Sequence, residues 1–137
     1  MTLHPRVVNE LLEAEAESIR LDLADRIEGI HVDGVVVYVK PTAWGGKFLR
    51  LDGSEYDQKP FRVAVVGPDC QVLSVSDWPA QLNARTDHPI VQGPWSCIQG
   101  TYEYHTFPGH AAEGWDLIRT RKRMKDLVKH IITKAGG

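Results

Sequence analysis

An α+β fold is predicted for this chain by three observations. The N-terminal stretch carries an amphipathic helical stripe, the middle holds short β-branched runs separated by turn signals, and the C-terminal stretch is again amphipathic and helical. Pro5 to about Arg26 reads as the first helix. Val8, Leu11, Leu12, Ile19, Leu23 and Ile27 recur near the 3.6-residue period, while Glu10, Glu13, Glu17 and Arg20 lie off that stripe. Pro5 suits a first turn, where its missing N–H costs nothing, and Gly29 is a natural stop.

Four strands are expected next, as an antiparallel meander. Gly34 to Lys40 is β-branched and bounded by Asp33-Gly34 and Pro41; Lys47 to Leu51 alternates and ends at Asp52-Gly53. Pro60 to Val66 is the clearest strand, closed by Gly67-Pro68-Asp69, and Val72 to Val75 is the fourth. Asp77 to Gly93 then reads as an irregular crossing, a length of loop that in a compact domain is often functional. Asp116 to Lys134 closes the chain as a helix. Leu117, Met124, Leu127, Val128 and Ile131 share one face; Arg119, Arg121, Lys122, Lys125 and Lys129 cover the rest.

With 137 residues the chain, 1–137, is expected to be one domain with a core of its own. Its hydrophobic content of 42% and charged content of 25% are those of an ordinary globular protein. A formal net charge of −2 supplies no overall field selecting nucleic acid or an anionic membrane, so neither is expected as a partner. No apolar run approaches a membrane span, and the start does not read as a signal peptide. Two cysteines, Cys70 and Cys97, are too few for a disulfide framework, so a cytoplasmic location with free thiols is expected.

The chemistry concentrates between Asp87 and Gly100, "DHPIVQGPWSCIQG", where Cys97 follows His88 by nine residues. A thiolate is a good nucleophile and leaving group, able to hold an acyl group as a thioester and pass it to an amine. Taken alone, Cys97 reads more readily as a small buried apolar residue, and it is the surrounding motif that changes this.

The order of elements and these motifs resemble the ubiquitin-conjugating enzymes. In that family a helix and a four-stranded meander lead through a proline-rich crossing to His-Pro-Asn and then the active cysteine. Here "HPIVQGPWSCI" resembles the active-site loop, with Pro79 nine residues before His88. "PFRVAVVGPD" resembles the third strand with its turn, and "VLSVSDWPA" the fourth-strand region. "AWGGKF", Ala43 to Phe48, resembles the Tyr-x-Gly-Gly-x-Phe that precedes the family's third strand, a competing register. The PFRVAVV register keeps the spacing into the cysteine.

The resemblance covers about Pro5 to Trp115 and is to the shorter, divergent bacterial members. It implies a partner set of an activating enzyme, a ubiquitin-like modifier and a target protein, with no cofactor, in a bacterial conjugation pathway of the kind used in antiviral defence. Cys97 would be the catalytic cysteine and His88 the histidine of the His-Pro step. Ile90 stands where the family carries an asparagine that stabilises the oxyanion, and Ile90 has no side-chain donor. The family's activating-enzyme contact on the first helix is usually basic, whereas this helix is acidic, so a partner surface of opposite sign is expected.

A histidine- and aromatic-rich segment follows: Tyr102, Tyr104, His105, Phe107, His110 and Trp115. His105 or His110 could supply the polar assistance that Ile90 lacks, as donor or proton shuttle. Glu103 and Asp116 could orient an incoming lysine. The alternation of "TYEYHTF" also fits one more strand. His88, Cys97, His105 and His110 are chemically fit zinc ligands, but their spacings match no compact zinc signature. The basic C-terminal helix reads as a solvated face, and the terminal Gly136-Gly137 as a frayed end rather than a conjugated tail.

The reading that follows is a conjugating enzyme acting through a Cys97 thioester. Its alternatives are a non-catalytic binding module on the same fold and, third, a zinc-dependent hydrolase using His105 and His110.

Overall fold

The computed structural model describes residues 3–110 and 114–136. Gly137, half of the Gly-Gly ending, lies outside them. The protein is an α+β fold. Helix α1 (Pro5–Asp22) leads into a four-stranded antiparallel sheet of strands β1 (Ile27–Asp33), β2 (Val36–Pro41), β3 (Phe48–Asp52) and β4 (Arg62–Val66), in the order β1-β2-β3-β4. After an irregular crossing come three helices, α2 (Tyr102–Thr106), α3 (Trp115–Ile118) and α4 (Met124–Lys134). No helix among the described residues is long and apolar enough to cross a membrane.

Helix α1 starts as its sequence asks. His4 Nδ1 accepts the Arg6 N–H at 3.1 Å and Pro5 opens the first turn, while Val8, Leu12, Ala16 and Ile19 are buried. It stops at Asp22, short of the expected Arg26, and Ile27 begins β1 instead of ending the helix. This strand was not anticipated. Ile19, Leu23 and Ile27 continue a helical spacing, yet Ile27 and Ile30 are buried as strand residues against β2. Asp33-Gly34 is therefore the tip of a hairpin rather than the entry to the first strand, with Gly34 at φ 63°, a conformation that favours glycine.

Strand alternation divides the sheet into two faces. Val37, Val39, Leu49, Leu51, Val63 and Val65 point into the core shared with α1 and α4; Tyr38, Phe48, Arg50 and Ala64 point the other way. The segment Val72 to Val75, expected as the fourth strand, is not one. It makes a single bridge, Val66 with Val72, and then turns into a 3₁₀ segment at Val75–Asp77. Arg62–Val66 is consequently the fourth strand and not the third, which corrects both strand matches made on the PFRVAVV register. The segment Ala43 to Phe48 runs directly into β3.

The C-terminal helix is also divided. Its backbone leaves the helix between Ile118 and Met124, with Arg123 extended at φ −71° and ψ 169°. Long-range contacts hold that break. The Arg123 guanidinium donates to Asp57 Oδ1 at 2.7 Å and to the Tyr56 hydroxyl at 2.6 Å, and Tyr56 in turn bonds Glu15 of α1. Asp126 accepts the Arg123 N–H at 3.0 Å and starts α4. Helix α4 buries Met124, Leu127, Val128, Ile131 and Ile132, and the Trp44 indole N–H caps its end at the Ala135 carbonyl, 2.8 Å away.

Candidate functional site

Cys97 sits on a turn pinned from both sides. Before it, Trp95 pairs with Arg85 through two backbone hydrogen bonds of 2.8 and 2.9 Å, and the Ser96 hydroxyl donates to the Leu82 carbonyl at 2.6 Å. After it, Ile98 is buried and Gly100 turns the chain at φ 99°, which favours glycine. Thr101 then caps α2, its hydroxyl accepting the Tyr104 N–H at 3.2 Å. The segment Tyr102–Thr106 is thus a one-turn helix and not the alternating strand its pattern allowed. Cys97 itself is half-buried, whereas Cys70 is exposed.

The fold brings His110 to this thiol. Cys97 Sγ and His110 Nε2 are 3.3 Å apart, within hydrogen-bond reach for sulfur. A short 3₁₀ segment, Pro108–His110, carries the imidazole, and its ring stacks on Tyr104 with centroids 3.9 Å apart and planes 13° from parallel. Tyr104 thereby orients the ring, a role with no signal in the sequence beyond an aromatic residue near a histidine.

His88 and His105 are engaged differently. His88 is buried, and its Nδ1 accepts the N–H groups of Ile90 and Val91, each at 3.1 Å. That leaves the proton on Nε2, which donates to the Glu103 carbonyl at 2.9 Å. The ring packs edge-on against Trp95 and Phe107, which stack on each other. His88 therefore ties the start of the loop to α2. His105 Nε2 accepts the Gly100 N–H at 3.1 Å, holding the turn just after the cysteine. Ile90 is 62% exposed beside this loop.

Among the described residues no three His, Cys, Asp or Glu side chains come together in a way that could hold a metal ion. The His88 and His105 nitrogens that bond the backbone have no lone pair left for one. Asp116, considered beside Glu103 for orienting a lysine, is exposed and lies 3.9 Å from the Arg119 Nε.

Among the described residues, Glu103 is the one buried carboxyl. Its Oε1 accepts the Val63 N–H at 2.9 Å, at the open edge of β4. Burial pushes its pKa up to about 7, against the opposing pull of that hydrogen bond and of Arg62 and Arg50. A carboxyl raised in the fold above its open-chain 4.5 stabilises most fully below 4.5, and that contribution is lost as pH rises through about 7. The gap corresponds to about 3 kcal/mol of stability. Urea unfolding between pH 4.5 and 8 is expected to show this decline, and Glu103→Gln, neutral throughout, is expected to flatten it.

Compared with known proteins, the chain matches no family model, and no curated protein matches it significantly.

Proposed function

We propose that this protein is a conjugating enzyme for a ubiquitin-like modifier, carrying the modifier as a thioester on Cys97. The observation that supports this most is the 3.3 Å approach of Cys97 Sγ to His110 Nε2 on a half-buried turn. A nucleophile beside a base, held by a rigid sheet and an ordered crossing, is the arrangement acyl transfer needs. The element order, a helix, a four-stranded antiparallel meander and an irregular crossing to the thiol, supports the same reading.

Charging begins when His110 accepts the thiol proton. Cys97 Sγ attacks the thioester carbonyl presented by an activating enzyme, the new C–S bond forms, and the departing thiolate takes the proton back from His110. In discharge an amine of the target protein attacks the same carbonyl. The neutral His110 accepts the amine proton, and Cys97 leaves as a thiolate beside the imidazolium. Tyr104 keeps the imidazole in place, and His88 and His105 shape the loop on either side of Cys97. ATP is consumed upstream, so no cofactor enters either step.

A binding module on the same fold is the second reading, and Ile90 favours it: the side chain at the family's donor position is apolar and exposed. Alkylation by iodoacetamide, followed residue by residue, separates the two. In the enzyme, Cys97 reacts readily, and His110→Ala is expected to slow it about tenfold while leaving Cys70 unchanged. A Cys97 that resists the reagent, or that ignores the loss of His110, would leave the binding module.

A further inference from the structure

The outer side of the sheet carries a polar feature that the thiol chemistry does not use. Arg50 of β3 and Arg62 of β4 line a cavity of about 230 Å³ with Glu103 of α2. Ile90, Gln92 and Pro94, from the loop that leads to Cys97, form one side of its wall. Arg50 falls between the buried Leu49 and Leu51, so strand alternation sends it to the face away from the core.

The two arginines are placed there without matching anions. Arg50 Nε is buried and is the one buried side-chain nitrogen or oxygen among the described residues with no hydrogen-bond partner. Arg62 lies over the Tyr102 ring, 3.9 Å from its centroid, and reaches Glu55 only at 4.0 Å. Stacking of this kind fixes a guanidinium while leaving its in-plane N–H edge for a ligand. The third polar wall does not neutralise them. Glu103 makes no ion pair with either arginine among the described residues, its Oε1 is used on the Val63 N–H, and burial keeps its proton on up to about pH 7.

We propose that this cavity binds a small oxyanion, a carboxylate or a phosphate-like group, between the Arg50 and Arg62 guanidiniums beside the Cys97 loop. Forked N–H donors match the paired oxygens of such groups. The volume is below that of a drug-sized pocket and suits a head group, with Ala64, Val72 and Pro94 as apolar wall for a short stem. The Arg50 guanidinium has no hydrogen bond or ion pair among the described residues, and an oxygen of a ligand in the cavity would give it an acceptor. The site stands apart from the conjugation chemistry and holds whether or not Cys97 is a nucleophile.

The test is a titration of the ¹⁵N-labelled full chain with sodium sulfate or sodium acetate against a chloride background of constant ionic strength. The signals followed are the Arg50 Nε–H and the Val63 amide. The expected result is a saturable shift of Arg50 Nε–H, half complete at about 10 mM or below, with one anion or both. Saturation by sulfate alone assigns a phosphate-like ligand, and by acetate alone a carboxylate. Arg62→Ala, at a half-exposed position that leaves the core intact, is expected to weaken the binding at least about tenfold. The absence of a saturable shift with either anion would overturn the proposal. So would an unchanged titration in folded Arg62→Ala.

Discussion

Replacing His110 with alanine should slow transfer from a charged Cys97 to an amine by about 100- to 10,000-fold, the usual contribution of a positioned acid–base group. The imidazole lies 3.3 Å from the thiol, half-buried on a short segment that contributes no buried residue to the core. The fold should therefore survive the change, and the loss should fall on the rate and not on the amount of folded protein. Single-turnover discharge of a pre-formed thioester to free lysine measures this directly. His110→Gln, which keeps an acceptor but cannot carry a proton, should remain as slow as alanine. Tyr104→Leu should fall between, since it removes the stacked face that orients the ring but leaves the base. Equal discharge rates in wild type and His110→Ala would remove His110 from the mechanism.

His88→Ala should be the most damaging substitution in the loop for stability, at about 2–4 kcal/mol. It removes the acceptor for two backbone N–H groups and the donor to a third partner, all within a part-buried turn. It also empties the space beside the stacked Trp95 and Phe107 rings, both of which meet the imidazole edge-on. His88→Asn is the informative control. Its side-chain oxygen can replace Nδ1 toward Ile90 and Val91, so it should recover part of the loss. Urea denaturation gives the stability, and hydrogen exchange at Ile90 and Val91 shows whether their N–H groups have lost protection. If His88→Ala unfolds at the same urea concentration as wild type, the imidazole does not hold the loop.

The helical and strand signals that were legible in the sequence were those set by local chemistry. Pro5 and the buried stripe from Val8 to Ile19 announced α1, and Pro60 to Val66 announced a strand, because each carries its own period and boundary. Strand β1 was hidden because Ile27 falls in step with Ile19 and Leu23, so the helical stripe runs on into a strand without a break. The misread fourth strand followed from this, since the count had started one strand late. Tyr102 to Thr106 alternates like a strand, but the Thr101 cap outweighs five residues of pattern. The break before α4 depends on Asp57 and Tyr56, far away in sequence, and no local window contains it.

The site was legible to the same depth. Its residue types and their order pointed to Cys97 with a histidine after it, and both His105 and His110 were candidates. Only the path of the chain from Gly100 to His110 decides which imidazole reaches the thiol. His105 turns back to the Gly100 N–H, and His110 is carried past it to Sγ. Tyr104 and Phe107 acquire their roles from that same path. The Arg50 and Arg62 pair was not visible at all, because adjacent strands bring together charges that the sequence keeps apart.

Everything in the proposed function turns on Cys97 carrying an acyl group. Intact mass spectrometry of the protein mixed with a candidate activating enzyme, its ubiquitin-like modifier and ATP tests it most directly. The expected product is an adduct of the modifier's mass less water, removed by thiol reductant, present in Cys70→Ala and missing in Cys97→Ala. An adduct that persists in Cys97→Ala would contradict it, as would a Cys97 that stays unmodified while the activating enzyme in the same mixture is charged.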